Sequence, residues 1–456
     1  VESNAKKRTL LIIAVAMGFI LNPLNTTMIS VAFSRLQEEF QLSFMDISWL
    51  ISTYYLASAI GQPVMGKLSD LFGKKRMFLT GLLLVTASSM AAPLSPGFHA
   101  LLVFRIIQAI GTSALFPSGM SIVRSSITEN QARALGILSV FSSTSAAFGP
   151  SIGGFLIHYG DWQAIFFINF PVIIVSFILA LKVMPADVKQ TMKVKVDIWG
   201  MALFSLLICA WLLFLLSVSE GVNWWLLVAG ILLGVVFHWF ESRRDQPFID
   251  VRFLKKNMNV TMIYIQFVLV NIVFYSIMFG LPMYLQTVQG FGTQKTGLTM
   301  LFLSGFAVLV TPFIASWIDH KGSRYPLMMG AVTSIAGTLL FIMVQDHSGL
   351  FWFYFAMSVY GMSSGINNLG LQTALYSTVS AEETGVASGL LMTSRFLGTI
   401  LSSSLLGNVF GKEISTGHLH AMALVCALIG GVMLLLTFRL HRGNQSELHA
   451  SAGSSS

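Results

Sequence analysis

Gly66-Lys67-Leu68-Ser69-Asp70-Leu71-Phe72-Gly73-Lys74-Lys75-Arg76 is a short polar stretch between two long apolar runs, at 47–66 and 77–95. A helix needs about 20 apolar residues to cross the hydrocarbon core of a bilayer, and both flanks are long enough. The stretch therefore reads as the turn between two membrane-spanning helices. Gly66 permits close helix approach, Gly73 can supply a turn, and Asp70 stands where it can meet a helix N-terminus or a basic partner. The cluster Lys74, Lys75, Arg76 marks the turn as cytoplasmic.

The same pattern extends along the chain. Only 10% of the 456 residues are charged, 55% are apolar, and the mean hydropathy is +0.75. A soluble chain would carry about a quarter charged residues, so lipid is expected to face most of the outer surface. Apolar runs predict spans at 10–32, 47–66, 77–95, 100–122, 134–157, 164–184, 197–217, 223–240, 259–286, 297–317, 325–345, 350–372, 386–410 and 419–438. Lys6, Lys7 and Arg8 lead straight into the first run, which reads as a span and not as a cleavable signal. The runs 197–217 and 223–240 are the weakest, yet each can span, and together they return the chain to its starting side.

Basic residues test that count. With the N-terminus inside, 22 of the 27 lysines and arginines fall in cytoplasmic segments, as the positive-inside rule requires. Omitting one span would invert every later loop and destroy the bias. Both termini are thus expected on the cytoplasmic side of the cell membrane. The net charge of +8 then reflects topology and anionic headgroups, and no nucleic-acid partner is implied. The expected plan is an all-α membrane protein: a six-helix bundle at 1–184, linkers and an inserted hairpin at 185–257, a second six-helix bundle at 258–440, and a disordered tail at 441–456. Cys209 and Cys426 lie within apolar runs and read as packing residues.

Further motifs lie inside the spans. Arg105-Ile106-Ile107-Gln108-Ala109-Ile110-Gly111 puts an arginine and a glutamine on one face of span four. An arginine at that depth is costly unless it meets water or a partner; the alternatives are a cavity or snorkelling toward the interface. Span five carries Gly149-Pro150-Ser151-Ile152-Gly153-Gly154, small residues for close helix approach and a proline that bends the helix. Asp161-Trp162-Gln163-Ala164-Ile165-Phe166-Phe167-Ile168-Asn169-Phe170-Pro171 opens span six. A weaker echo of the first loop, with Asp319, Lys321 and Arg324, follows span ten.

Across roughly residues 10–440 these motifs resemble those of the major facilitator superfamily, most closely its fourteen-helix drug–proton antiporter branch. The resemblance implies two six-helix bundles plus an inserted hairpin, rocking in alternating access. It implies that the loop with Gly66, Asp70, Gly73, Lys74 and Arg76, and its echo with Asp319 and Arg324, latch the bundles. Gly149, Pro150, Gly153 and Gly154 match the signature of exporters, which implies proton-driven efflux of a drug, lipid or siderophore-like compound, as in antibiotic resistance. A monomer whose partners are a small-molecule substrate, protons and membrane lipids is the expectation.

One departure matters. Where that branch places an aspartate in span one, this chain has Asn25, within Leu24-Asn25-Thr26-Thr27. Asn25 cannot bind and release a proton near neutral pH, so the coupling role does not transfer to it; Asp46 and Glu220, at the cavity mouth, are candidates instead. Asn22, Asn25 and Thr26 share a face that can line a cavity or bond a neighbouring helix. With Arg105 and Gln108, and with Asn271, Tyr275, Asn367, Asn368 and Gln372 in the second bundle, they are the substrate-cavity candidates. No carboxylate lies clearly at mid-membrane, which disfavours a cationic substrate and favours a neutral or anionic amphipathic one. An importer of the same fold and a membrane-embedded lipid-modifying enzyme are the alternatives. Catalytic, metal-ligating and cofactor motifs are not visible in the sequence, so no catalytic residue, metal or cofactor is expected.

Overall fold

A computed structural model describes residues 2–42, 44–187, 196–217, 221–291, 293–345, 350–380, 382–410 and 414–440. The described residues form helices joined by short connections. In chain order the first are α1 (Glu2–Met28), α2 (Phe33–Phe40), α3 (Phe44–Phe72), α4 (Lys74–Ala91), α5 (Phe98–Ser126) and α6 (Gln131–Gly160). Then come α7 (Ala164–Phe167), α8 (Asn169–Val183), α9 (Ile198–Ser217), α10 (Trp224–Glu241), α11 (Val251–Lys256) and α12 (Met258–Thr287). The last five are α13 (Thr293–Lys321), α14 (Arg324–Leu340), α15 (Leu350–Tyr376), α16 (Thr384–Phe410) and α17 (Thr416–Arg439). The tail at 441–456 lies outside the described residues.

Eleven of the described helices are long and apolar enough to cross a membrane. They include both weak runs, as Ile198–Leu215 and Trp224–Glu241. The expected spans 47–66, 134–157 and 350–372 fall on α3, α6 and α15, which are outside those eleven. Large apolar side chains are turned outward along the helices, among them Trp225, Phe313, Leu428 and Leu435. In water such a surface would aggregate; in lipid it is the matched face.

Contacts divide the chain into two compact units: Val1–Arg252 with Ala381–Asn408, and Phe253–Ser380 with Val409–Ser456. In the first, α1 packs on α5, α6 and α8, while α5 also packs on α3 and α4, and α9 pairs with α10. Most of α16 belongs to this unit, although by chain order it follows the helices of the other. Its approach to α3 depends on glycine: a Cβ on Gly66 would strike the carbonyl of Gly385, and one on Gly389 would strike that of Gln62. Thr393 donates from its hydroxyl to the Ala59 carbonyl at 2.7 Å on the same seam. In the second unit, α15 packs on α12, α13 and α14, and α17 on α12 and α14. Gln266 of α12 donates to the Thr437 hydroxyl of α17 at 3.3 Å there.

Candidate functional site

The richest polar cluster is buried in the first unit and centres on Asn25 of α1, only 5% exposed. Asn25 and Asn169 of α8 exchange amide hydrogen bonds, Asn25 Nδ2 donating at 2.9 Å and Asn169 Nδ2 donating back at 3.0 Å. Gln108 of α5 donates from Nε2 to Asn25 Oδ1 at 3.1 Å and to Ser89 Oγ of α4 at 3.1 Å. Asn169 also donates to Ser89 Oγ, at 3.0 Å. Four helices thus meet at one set of amides. Away from water such groups are retained only when paired, and here each partner satisfies the next.

Arg105 of α5 closes the cluster and is 1% exposed. It turns into the bundle and not toward an interface. One guanidinium nitrogen donates to Gln108 Oε1 at 2.6 Å and another to the Asn25 backbone carbonyl at 3.3 Å. Its carbon lies 4.3 Å from the centre of the Tyr54 ring, a cation–π contact. Arg105 Nε has no hydrogen-bond partner, and no ion pair involves this residue among the described residues. Tyr54 continues the cluster: its hydroxyl lies 3.0 Å from Thr112 Oγ1, to which Asn22 Nδ2 donates at 3.2 Å. Asn22 and Thr26 are half-buried, and the Thr26 hydroxyl bonds back to carbonyls of its own helix. The cluster therefore presents a fixed positive charge among neutral donors and acceptors.

The loop between α3 and α4 carries a second arrangement. Asp70 accepts from the backbone N–H groups of Gly385 at 3.2 Å and Val386 at 3.1 Å, in the first turn of α16. A helix start exposes unsatisfied N–H groups and a positive dipole end, so a carboxylate is the natural cap. Arg124 donates to Thr384 Oγ1 at 2.7 Å beside it. Gly73 follows with φ 110°, a conformation that disfavours side chains. Next, Asp187 accepts from the backbone N–H groups of Lys75 and Arg76, both at 2.9 Å, and so caps α4. Lys75 Nζ donates to the carbonyls of Leu181 and Met184, at the C-terminal end of α8. Lys74 Nζ reaches the Ser121 carbonyl at 3.4 Å, while the Arg76 side chain is exposed. In the second unit Arg324 donates to the Phe438 carbonyl at the end of α17, and Asp319 is half-buried on the last turns of α13.

Other expected positions are dispersed. Gly149 lies where α6 meets α1, since a Cβ there would strike Thr27; Gly153 is buried and Gly154 exposed. Pro150 lies within α6, its side chain outside the described set. Asn271 donates to the Phe267 carbonyl of its own helix at 2.6 Å, and Tyr275 packs against Phe274 and Phe279. Asn367 donates to Ser363 Oγ at 3.1 Å, and Asn368 donates to the Ser364 carbonyl while its buried Oδ1 has no partner among the described residues. Gln372 is buried one turn on. Glu220 lies outside the described residues, as does the side chain of Asp46. Sequence reading quoted Asn169 within a motif but missed its pairing with Asn25, and it missed Ser89, Tyr54, Thr112 and Asp187. The signal available was the motif asparagine itself, polar at the head of an apolar run.

Comparison with known proteins gives the family. The family description Major Facilitator Superfamily matches residues 15–403. The chain is similar to the Uncharacterized MFS-type transporter YwoD of Bacillus subtilis (strain 168), at 45% identity over 96% of this chain and 98% of the relative. It is also similar to the Multidrug resistance protein Stp of Mycobacterium tuberculosis (strain CDC 1551 / Oshkosh), at 25% identity over 90% of this chain and 77% of that one. In fold it matches the crystal structure of the human organic anion transporter MFSD10 (TETRAN), with a TM-score of 0.67, 15% identity, and coverage of 95% of this chain and 99% of that one.

Proposed function

Because the chain belongs to the Major Facilitator Superfamily, we propose that it is a secondary active exporter that carries a small neutral or anionic amphipathic compound outward in exchange for protons. It is a transporter and not an enzyme. The substrate class rests on one observation: Arg105 is buried among Asn25, Gln108 and Tyr54 with no carboxylate partner among the described residues. A fixed cation in a low-dielectric bundle repels a cationic ligand and draws an anionic or polarisable one. Asn25 adds no compensating charge.

Export is supported by Gly149-Pro150-Ser151-Ile152-Gly153-Gly154 and by the drug-resistance name of a relative. Alternating access is the mechanism, one six-helix set rocking against the other. Asp70 serves as a latch that engages and leaves the first turn of α16. The proton is carried by Asp46, by Glu220 or by the substrate. The half-buried Asn22 and Thr26 of α1 are polar contacts of the ligand.

The test is transport by purified protein in liposomes under an imposed pH gradient. An anionic fluorescent amphiphile and an ethidium-type cation are compared. The expected result is gradient-driven movement of the anion, lost in Arg105→Ala and weakened in Arg105→Lys. Cation transport that persists unchanged in Arg105→Ala would overturn the substrate class. Movement of the anion without a pH gradient would overturn proton coupling.

A further inference from the structure

Asp197 immediately precedes α9 and Glu241 is the last residue of α10, so the packing of these helices brings the two carboxylates together. Both are buried, at 9% and 1% exposure. One oxygen of each is satisfied: Asp197 Oδ1 accepts from the Gly200 N–H at 3.0 Å, and Glu241 Oε2 accepts from the Ile249 N–H at 3.2 Å. The other two, Asp197 Oδ2 and Glu241 Oε1, have no hydrogen-bond partner among the described residues. Both point at the same small space, because a Cβ on Gly200 would collide with each of them.

Among the described residues, the surroundings do not neutralise two negative charges. α9 carries no charged residue, and α10 adds only His238, about one turn back and lining the groove with Trp211 and Ser242. Lys67 of α3 faces the pair and keeps its charge while its Nζ donates to the Pro247 carbonyl at 2.9 Å, so one cation stands against two carboxylates. In the following turn Arg243 lies over the Trp239 ring and Arg244 over Phe240, Asp245 is exposed, and Asp250 accepts from the Arg252 N–H. Neither Asp197 nor Glu241 has an ion pair among the described residues. Two carboxylates this close and this buried do not both ionise.

We propose that Asp197 and Glu241 form a proton-binding site in which a single proton, carried on Glu241 Oε1, is donated to Asp197 Oδ2. The assignment of the proton follows from the backbone. Glu241 stands at the C-terminal end of α10, where the helix dipole disfavours an anion; each carboxylate accepts a backbone N–H, so that contact does not distinguish them. The bound proton fastens the ends of α9 and α10 together and holds the turn 242–250, which Lys67 grips from the helix that bears Asp70. Loss of the proton sets two like charges against each other and loosens that turn. The site depends on neither the direction of transport nor the substrate.

The test is thermal unfolding of the purified protein from about pH 6 to about pH 9, with infrared detection of protonated carboxyl groups. A native state that retains a proton already released by the unfolded chain loses stability as pH rises. The wild-type midpoint should therefore fall by a few degrees. Glu241→Gln, whose amide donates without titrating, should flatten that fall and remove one carboxylic-acid band seen at neutral pH. Asp197→Asn should move loss of the same band to lower pH. The same slope in wild type and both variants overturns the proposal. So does a wild-type spectrum with no carboxylic-acid band at neutral pH, which decides the matter even if Glu241→Gln does not fold.

Discussion

Asn25 and Asn169 are 144 residues apart in the chain and exchange two amide hydrogen bonds. Replacing Asn169 by alanine removes three of the cluster's hydrogen bonds, while Asn25 keeps Gln108 and the Leu21 carbonyl and Ser89 keeps Gln108. Each lost bond costs about 0.5–1.5 kcal/mol, so Asn169→Ala should lower the unfolding midpoint in detergent while folding is retained. Asn25→Asp makes a different point. It places a carboxylate where Gln108 donates to the amide oxygen and within the surroundings of Arg105. The variant should move an ethidium-type cation in proteoliposomes, which the wild type should not; equal cation transport by the two would show that this position does not set substrate charge. Arg105 and Gln108 were legible in the sequence because an ionic residue inside an apolar run is conspicuous. Asn169 and Ser89 were not, since nothing in a single sequence says which two polar residues so far apart will face each other.

At the scale of elements, carboxylates and lysines meet helix ends. Asp70 caps α16 through Gly385 and Val386, and Asp187 caps α4 through Lys75 and Arg76. Asp70→Asn keeps the shape but leaves one acceptor oxygen where two accept from the Gly385 and Val386 N–H groups. The expected outcome is normal expression with markedly reduced transport, measured as initial rate per folded protein; wild-type turnover would retire the latch. Arg35 of α2 and Asp161, beyond α6, form an exposed pair at 2.9 Å. The Arg35 hydrogen bond holds the Asp161 carboxyl below its ordinary value. A depressed carboxyl stabilises the fold above its unfolded value, and that contribution disappears as pH falls through the folded one. Arg35→Ala should therefore lower the unfolding midpoint slightly at neutral pH and low salt, and the difference should vanish in acid or in high salt. Asp70 was expected to meet a helix N-terminus or a basic partner, and it meets the N-terminus of α16. The capping role of Asp187 was hidden because its segment, between two apolar runs, has no periodicity to read.

For the whole molecule, composition carried most of the information. A chain with 10% charged residues has few ways to bury its backbone in lipid other than helices, and apolar length located them. It could not fix the exact count, because α3, α6 and α15 are interrupted by polar residues and glycines that serve packing between helices. The two loops after α3 and α13 repeat one device in separate units. Lys75 reaches the last carbonyls of α8, and Arg324 reaches the Phe438 carbonyl near the end of α17. Such repetition is what two related halves of a transporter would retain. It also constrains topology: if the halves repeat in parallel, the loops share one face, and an even number of crossings puts both chain ends on that face as well. Reporters fused to the N-terminus and after Arg439 should then give the same sidedness in intact cells, and adding a single extra span before the second reporter should invert its signal alone. Opposite faces for the two ends of the unmodified chain would mean an odd number of crossings.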